Sequence, residues 1–238
     1  MNSGMYAALS GNLSAMRRLD VISNNLANAN TTGFKADHLD FDSVLSGVKN
    51  STQTEPVFSA DRFYTDYSAG PLQKSDNVLD VALSGDGFFV VNTPQGAAYT
   101  REGNFHLGSD GKLLSADGYE VQGKNGGAIT VNGSRVQIAA DGTVSVDGNQ
   151  VGALAVVDFP KPYALNKSGN GVFLPANGQA AVASTAQVKQ GYLESSNVQV
   201  VTEMARMIEA SRYFEICSKA VQSYDTMASH AANDLGKV

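Results

Sequence analysis

The sequence contains few of the residues that usually build a chemical site. Its 238 residues include three histidines, no tryptophan and a single cysteine, Cys217, and only 17% of them are charged. A lone cysteine excludes an intramolecular disulfide and a zinc site built from thiolates alone. Because His38, His106 and His230 lie far apart without a metal-binding or catalytic spacing, we expect no metal, no cofactor and no histidine-activated nucleophile. Cys217 is expected to be a small buried apolar residue.

Positive charge and long apolar runs are also scarce. The formal net charge is −6, which argues against a nucleic-acid partner because such binding rests on clustered Lys and Arg. No run of about 18 apolar residues is present that could span a bilayer, so direct membrane insertion is not expected. The first 30 residues alternate apolar residues with Ser, Asn, Arg and Asp, and we therefore expect no cleaved signal peptide.

The acidic residues of the central region do not form a catalytic or calcium-binding pattern. Most precede glycine, which is typical of turns, and none follows the alternating spacing of a calcium loop. No carboxylate pair suited to glycan hydrolysis is evident, and residues 123–127 lack the spacing of a phosphate-binding loop. We therefore predict that the protein is not an enzyme and takes no small-molecule substrate. The residues considered are Asp80, Asp86, Asp110, Asp117, Asp141 and Asp147.

The N-terminal segment has the periodicity of an amphipathic helix. Between residues 3 and 28, apolar residues recur at spacings of three and four. Short polar residues and Gly33 follow, and they favour a helix end and a turn. The apolar stripe consists of Met5, Leu9, Leu13, Met16, Leu19, Ile22 and Leu26.

The C-terminal segment, residues 197–235, has neither glycine nor proline, and we predict that it forms the longest helix of the protein. At about 1.5 Å per residue it would extend roughly 55–60 Å, more than a β domain of this size needs as cover. Its residues form two adjoining rows with steps of four and three, which can face two neighbours, and the N-terminal stripe is the other long stripe available. One row is Val200, Met204, Met207, Ser211, Phe214, Ser218, Val221, Asp225, Ala228, Ala232 and Leu235. The other is Ala210, Tyr213, Cys217, Ala220, Tyr224, Met227 and Ala231.

The region between the two helical segments is typical of an all-β fold. Short β-branched and aromatic runs from residue 65 to residue 191 are separated by glycine turns. Asp-Gly pairs accompany these runs and favour hairpin turns, because glycine tolerates positive φ. The pairs begin at Asp86, Asp110, Asp117, Asp141 and Asp147.

Together these segments predict an α+β protein in which the N- and C-terminal helices pair as a coiled-coil-like domain, with a central all-β domain rich in hairpins. The helical domain comprises residues 1–35 and 197–238, an extended connecting segment residues 36–64, and the β domain residues 65–196. Two organisations remain open from the pattern. The terminal helices can form the polymerising part of a filament subunit, or they can cover one face of the sheet in a single α+β domain.

Several stretches resemble, in order along the chain, the signatures of one known family. Residues 19–35 contain the run SNNLANANTTGFK, residues 80–89 and 99–105 form a central stretch, and residues 191–215 begin with GYLESSNV. They are similar to the signatures of the flagellar rod and hook protein family, with Ser23 where the family often has alanine. The resemblance covers nearly the whole chain, and residues 149–186 depart from it.

The resemblance implies a structural subunit of the bacterial flagellar basal-body rod. Such a subunit would pass through the flagellar type III export apparatus, self-associate with other rod subunits into a helical tube through its terminal helices, and serve motility. In its short length and in residues 138–144, the chain most resembles subunits of the proximal rod. Subunits of the distal rod are the second most similar, whereas hook subunits carry larger outer domains. A β-domain module that binds a ring protein is the alternative from another class.

The resemblance also places the expected intersubunit contacts on the terminal helices. Asn24 and Asn25 are expected to form hydrogen bonds between subunits, whereas Asn28 and Asn30 suit the helix end and the turn. The predicted assembly residues are Leu9, Leu13, Met16, Asn24, Asn25, Leu26, Met204, Met207, Ile208, Phe214, Val221 and Tyr224.

Overall fold

The computed structural model describes residues 2–42, 60–169 and 171–235. The chain forms two compact units, one built from residues 1–29, 36–66 and 198–238 and the other from residues 30–35 and 67–197. We call them the helical unit and the β unit. The predicted α+β class, with paired terminal helices and a central β region, is confirmed.

In its described residues, the helical unit has two long helices and one hairpin. Helix α1 spans Asn2–Ala27 and helix α2 spans Val200–Leu235, and the two run antiparallel. Strands β1 (Asp37–Asp42) and β2 (Ala60–Thr65) pair antiparallel, with Asp37 opposite Thr65. The two helices pack on each other within this unit, as the paired-helix organisation requires.

The compact units have different bounds from the domains expected from the sequence. Residues 30–35 belong to the β unit, although they were expected with the helices. Where an extended connecting segment was expected at 36–64, residues 37–42 and 60–65 form the β1–β2 hairpin of the helical unit. The rest of that segment, residues 43–59, lies outside the described residues.

The β unit consists of short antiparallel strands. The strands are β3 (Leu72–Lys74), β4 (Val81–Ser84), β5 (Phe88–Thr93), β6 (Gly96–Thr100), β7 (His106–Leu107), β8 (Leu113–Leu114), β9 (Glu120–Val121), β10 (Val136–Ile138), β11 (Thr143–Val146), β12 (Asn149–Ala153), β13 (Val156–Asp158), β14 (Leu165–Lys167), β15 (Val172–Pro175), β16 (Val182–Ala183), β17 (Gln187–Gln190) and β18 (Tyr192–Glu194). The largest sheet has the order β14-β15-β6-β5-β9-β8-β7, and β13 pairs with both β5 and β16. A three-stranded sheet has the order β10-β11-β12, and two further pairs join β17 to β4 and β18 to β3.

Most of the predicted Asp-Gly turns join consecutive paired strands. The pairs at Asp110, Asp117, Asp141 and Asp147 connect β7–β8, β8–β9, β10–β11 and β11–β12. At the last of these, Asp147 has φ 52° and Gly148 has φ 87°, as a type I′ turn requires.

The pair Asp86-Gly87 does not form a hairpin turn, contrary to that expectation. It connects β4 to β5, which pair with other strands and not with each other. A Cβ at Gly87 would lie 2.5 Å from the Ser184 hydroxyl oxygen. Glycine is therefore needed here because another segment passes close by.

Two clusters of apolar side chains form the core of the β unit. The larger contains Phe89, Val91, Leu113, Val144 and Leu154, and so draws on both the large sheet and the β10–β12 sheet. The smaller is aromatic, with Phe88, Phe159 and Phe173 at its centre and several tyrosines around it. Edge-to-face ring contacts of this kind add to the stabilisation from apolar burial.

Glu102 is a buried carboxyl group beside the β6–β15 pair. It is almost completely inaccessible, and a Cβ at Gly171 would overlap its carboxylate. Burial, with a smaller effect from the charge of Asp117, raises the pKa of Glu102 to about 7. Between the ordinary value of 4.5 and about 7, the folded protein therefore binds more protons at this group than the unfolded chain does.

The free energy of unfolding should consequently fall as the pH rises from about 4.5 to about 7. The variant Glu102→Gln removes the ionisable group, so it should be more stable than the wild type by about 3 kcal/mol at pH 8 and by no more than about 1 kcal/mol at pH 5. Urea unfolding of both proteins at the two pH values measures this difference. An identical pH dependence in the two proteins would contradict it.

Candidate assembly surface

The contact between α1 and α2 follows a seam of small residues on α1. The buried and half-buried positions recur at steps of four and three, the spacing of a coiled-coil seam. The seam positions on α1 are Gly4, Ala8, Gly11, Ala15, Arg18, Ile22 and Asn25. Those on α2 are Glu203, Met207, Ala210, Phe214, Cys217, Val221 and Tyr224.

Glycine on α1 lies directly opposite large or polarisable side chains on α2. A Cβ at Gly4 would lie 2.2 Å from the Tyr224 hydroxyl oxygen, and a Cβ at Gly11 would lie 2.8 Å from Cys217 Sγ. Ser218 also donates a hydrogen bond to Asn12 Oδ1 at 3.2 Å. The helices therefore approach closely, and side chains on α2 fill the space that glycine leaves on α1.

The large apolar side chains of α1 lie outside this seam. Met5, Leu9, Leu13 and Met16 are between 45% and 53% exposed. At 3.6 residues per turn they occupy an arc of about 80°, centred roughly 145° from the seam. The N-terminal part of the apolar stripe therefore does not face α2 within the chain, because the close seam has no room for long side chains there. We call these four residues the α1 stripe.

Helix α2 also exposes apolar side chains on two sides. Val201, Met204 and Ile208 lie to one side of the seam, and Val201 is 82% exposed. Tyr213, Ile216 and Met227 lie to the other side, farther along the helix. Among its described residues, the helical unit thus presents exposed apolar faces in more than one direction.

The end of the seam near the hairpin is polar. Asn25 is completely buried, its Nδ2 donates to the Asp37 carbonyl oxygen at 2.8 Å, and its Oδ1 accepts from the Asp37 N–H at 2.9 Å. Asn25 Nδ2 also lies 3.5 Å from Glu203 Oε2, and Glu203 Oε1 accepts from Arg206 Nη1 at 2.6 Å. This network joins α1, β1 and α2 at one point.

A small cavity lies beside this polar network. It has a volume of about 260 Å³ and is lined by charged groups of both signs, including Arg18, Arg206, Asp37 and Glu203. The rings of His38 and Tyr64, whose centroids are 5.4 Å apart, also line the cavity. The mixture of charges does not select a particular ligand.

Three segments of the chain match known protein families, and two of them include these helices. Residues 5–35 match a family described as flagella basal body rod protein, residues 82–146 the flagellar hook protein FlgE/F/G D1 domain, and residues 189–235 the flagellar basal body rod FlgEFG protein C-terminal. The chain is 31% identical to the flagellar basal-body rod protein FlgF of Mesorhizobium japonicum, over 99% of both chains. It is 34% identical to the flagellar basal-body rod protein FlgG of Bacillus subtilis, over 98% of this chain and 99% of that one.

The chain belongs to the flagellar basal-body rod protein family. The resemblance seen in the sequence is thereby confirmed. The matched segments of this rod-family chain include nearly all of α1 and α2, so the helix pair falls within the parts that the family shares.

The predicted assembly residues fall into two groups in the structure. Leu9, Leu13, Met16, Asn24, Met204 and Ile208 are exposed. Met207, Phe214, Val221 and Tyr224 lie in the seam, Asn25 is bonded within the chain, and Leu26 is half-buried. The role of all these residues between subunits stays a prediction. For the residues in the seam, the structure shows packing between α1 and α2 of the same chain.

Sequence reasoning missed some of the exposed apolar residues. Tyr6, Val201 and Ile216 lie at the surface although none was predicted for assembly. The signal that could have found them is their position one or two residues away from the seam rows, where an apolar side chain has no partner in a two-helix pair.

Other kinds of site are not evident in the part of the chain that the structure describes. Within residues 2–42, 60–169 and 171–235, no group of three or more His, Cys, Asp or Glu side chains is placed to hold a metal ion. No helix within those ranges combines the length and apolar character needed to cross a bilayer.

Replacing Asn25 should destabilise the helical unit, because Asn25→Ala removes both hydrogen bonds that the buried Asn25 amide forms with the Asp37 backbone. We expect a loss of about 2 kcal/mol in the free energy of unfolding. The matched control Asn24→Ala changes an exposed side chain and should stay within about 0.5 kcal/mol of the wild type. Chemical unfolding followed by circular dichroism at 222 nm tests both, and equal effects would contradict the intrachain assignment.

The close approach at Gly11 can be tested with a double-mutant cycle. Gly11→Ala gains helix propensity of about 1 kcal/mol, but it introduces a Cβ close to Cys217 Sγ and so overpacks the seam by roughly 1–3 kcal/mol. In a Cys217→Ala background the sulfur is absent and the nearest neighbour of the new Cβ is the Tyr213 hydroxyl oxygen at 3.3 Å, so the same change should be less destabilising. Urea unfolding of the four proteins gives the coupling energy, and additive effects would show that the helices do not meet at this point.

Proposed function

We propose that the chain is a structural subunit of the bacterial flagellar basal-body rod, and that it assembles with further copies through the exposed apolar faces of α1 and α2. The observation that carries this proposal is the α1 stripe. Single exposed apolar residues are common, whereas a continuous row on one helix face is typical of an interaction site. The names of the relatives, flagellar basal-body rod proteins FlgF and FlgG, support the same assignment.

The number of exposed faces supports a filament over a closed pair of subunits. A two-fold dimer uses one self-complementary patch, whereas an open helical assembly needs different patches that meet head to tail. The α1 stripe and the two apolar sides of α2 supply such distinct patches. Burying them would add the stabilisation that apolar contact provides, at roughly 25 cal/mol per Å².

Within the rod family, the proposal favours a subunit of the FlgF type, the proximal rod protein, over the FlgG type. The 238-residue chain aligns over 240 positions with 99% of the Mesorhizobium japonicum FlgF, whereas the alignment with the Bacillus subtilis FlgG extends to 261 positions. Export through the flagellar type III apparatus, other rod subunits as partners, residence in the basal body and a role in motility follow as parts of this proposal.

A ring-binding role for the β unit is not proposed. The exposed apolar side chains of its described residues are scattered over several strands and loops, as in Val78, Leu107, Val151 and Val182. Scattered single residues are normal on a soluble surface. Catalysis is likewise not part of the proposal, which assigns the protein a mechanical role.

The double variant Leu9→Gln/Leu13→Gln tests the proposal. Both side chains are half exposed, so monomer stability should change by no more than about 1 kcal/mol, while assembly should be lost because two adjacent apolar contacts are removed. Sedimentation velocity and negative-stain electron microscopy over a range of concentrations measure assembly, and chemical unfolding measures stability.

The matched control is Val151→Gln/Val182→Gln, which replaces two equally exposed apolar residues of the β unit. This control should assemble as the wild type does. If the α1 variant also assembled like the wild type, or if the wild type remained a monomer at every concentration, assembly through the α1 stripe would be refuted.

A further inference from the structure

Three charged side chains meet deep in the β unit. Lys35, Arg101 and Glu194 are only 1%, 3% and 1% exposed. Lys35 Nζ lies 2.6 Å from Glu194 Oε1, and Arg101 Nη1 lies 3.1 Å from Glu194 Oε2. One carboxylate therefore binds two cations, one at each oxygen. We call these three residues the Glu194 clasp.

The clasp lies where the chain enters and leaves the β unit. This unit is made of two chain segments, residues 30–35 and 67–197, so its four ends lie near residues 30, 35, 67 and 197. Lys35 stands at one end, and Glu194 lies three residues before another. Glu194 Oε1 also accepts a hydrogen bond from the Gly70 N–H at 3.0 Å, close to a third end.

Backbone hydrogen bonds surround the clasp and join the same segments. The Gly33 N–H donates to the Glu194 carbonyl oxygen at 2.7 Å, and the Ser195 N–H donates to the Pro71 carbonyl oxygen at 2.9 Å. Lys35 Nζ also donates to the Ser68 carbonyl oxygen at 2.7 Å, and the Asn197 N–H donates to the Phe34 carbonyl oxygen at 3.3 Å. The segments 33–35, 68–71 and 194–197 are thus fastened to one another.

The segments approach so closely that glycine is required at two positions. A Cβ at Gly70 would lie 1.9 Å from the Ser195 carbonyl oxygen. A Cβ at Gly33, which has φ 69°, would lie 2.5 Å from the Arg101 carbonyl carbon. Because these neighbours are backbone atoms, they cannot move aside as a flexible side chain would.

Arg101 has further contacts that hold it in place. Its Nη2 donates to the Gly85 carbonyl oxygen at 2.8 Å, and its guanidinium carbon lies 5.5 Å from the centre of the Phe88 ring. The clasp carries two positive charges and one negative charge. The nearby Asp86 carboxylate responds to them, because its pKa is lowered first by a hydrogen bond from Lys161 and further by the charges of Arg101 and Lys35.

Buried ions of this kind are a poor source of net stability. Removing three charged groups from water costs about as much as their mutual attraction returns, and well-packed apolar residues often do as well. Charged hydrogen bonds instead restrict the segments that they join to a single arrangement. The three ions also come from the three separate stretches that resemble the family signatures, residues 19–35, 99–105 and 191–215.

We propose that Glu194 is a positioning residue whose carboxylate fastens the entering and leaving segments of the β unit to one another, so that a pull on either terminal helix is borne by the clasp. Residue 30 follows α1 in the chain, and residue 197 precedes α2. Tension along either helix therefore reaches segments 33–35 and 194–197 before it reaches the β hairpins. This inference concerns the monomer and is independent of assembly through the α1 stripe.

The test is amide hydrogen exchange on the full-length variant Glu194→Gln. Loss of the negative charge removes the carboxylate that binds both Lys35 and Arg101, so the clasp should open. Exchange at Gly33, Gly70, Ser195 and Asn197 should accelerate at least tenfold. Exchange at Val131 and Leu154, whose amides bond to Gly111 and Gly142 in distant hairpins, should stay within twofold of the wild type.

Two further variants keep the test decisive. Glu120→Gln makes the same chemical change at a partly exposed ion pair with Lys112 and should alter none of these amides. If Glu194→Gln does not fold, Lys35→Met/Arg101→Met/Glu194→Met replaces all three ions with apolar side chains. This variant should unfold near the wild-type temperature but show the faster exchange at the four clasp amides.

The proposal fails if exchange in Glu194→Gln is unchanged, or if it rises equally at the clasp amides and in the distant hairpins. The first result would mean that the carboxylate fastens nothing. The second would mean that it contributes only to the general stability of the β unit. Wild-type exchange in the triple apolar variant would overturn the proposal as well.

Discussion

The close approach of α1 to α2 at Gly4 and Gly11 determines which surfaces the helical unit exposes. Tyr224 and Cys217 occupy the space opposite these glycines, so a longer side chain on α1 cannot be accommodated there. The large apolar residues of α1 are consequently placed on the outer side of the helix, where they are about half exposed. A tight seam within the monomer and an open apolar face for neighbours are two results of the same packing constraint.

The sequence predicted both terminal helices and most of the hairpin turns, because helical periodicity and Asp-Gly pairs are local signals. It did not predict which face of α1 meets α2. Helical periodicity is recognised from large apolar residues such as Met, Leu and Ile, whereas the seam positions on α1 are largely Gly and Ala. The steps of four and three at Gly4, Ala8, Gly11 and Ala15 are present in the sequence. That Tyr224 and Cys217 lie opposite the two glycines is known only from the fold.

The buried polar contacts could not be predicted for a different reason. Lys35 and Glu194 are 159 positions apart, and Arg101 and Glu194 are 93 apart. Charged residues are usually exposed, so nothing local marks these three as buried. Asn25 is a related case, since Asn24 beside it has the same side chain and the opposite exposure. Only the fold distinguishes the two, through the backbone of Asp37.

Exposed apolar faces and buried polar contacts meet different physical requirements of a filament subunit. Apolar faces attract neighbours but allow many relative positions, because the hydrophobic effect has no direction. Buried polar groups accept one geometry, because a displaced hydrogen bond leaves an unpaired group in a low dielectric. In this chain the directional contacts, around Asn25 and around Glu194, lie inside the units. The exposed faces are mainly apolar. In the proposed assembly, the register between copies would therefore be selected by the shape of the stripe and by charged residues such as Arg17 and Asp20 on α1.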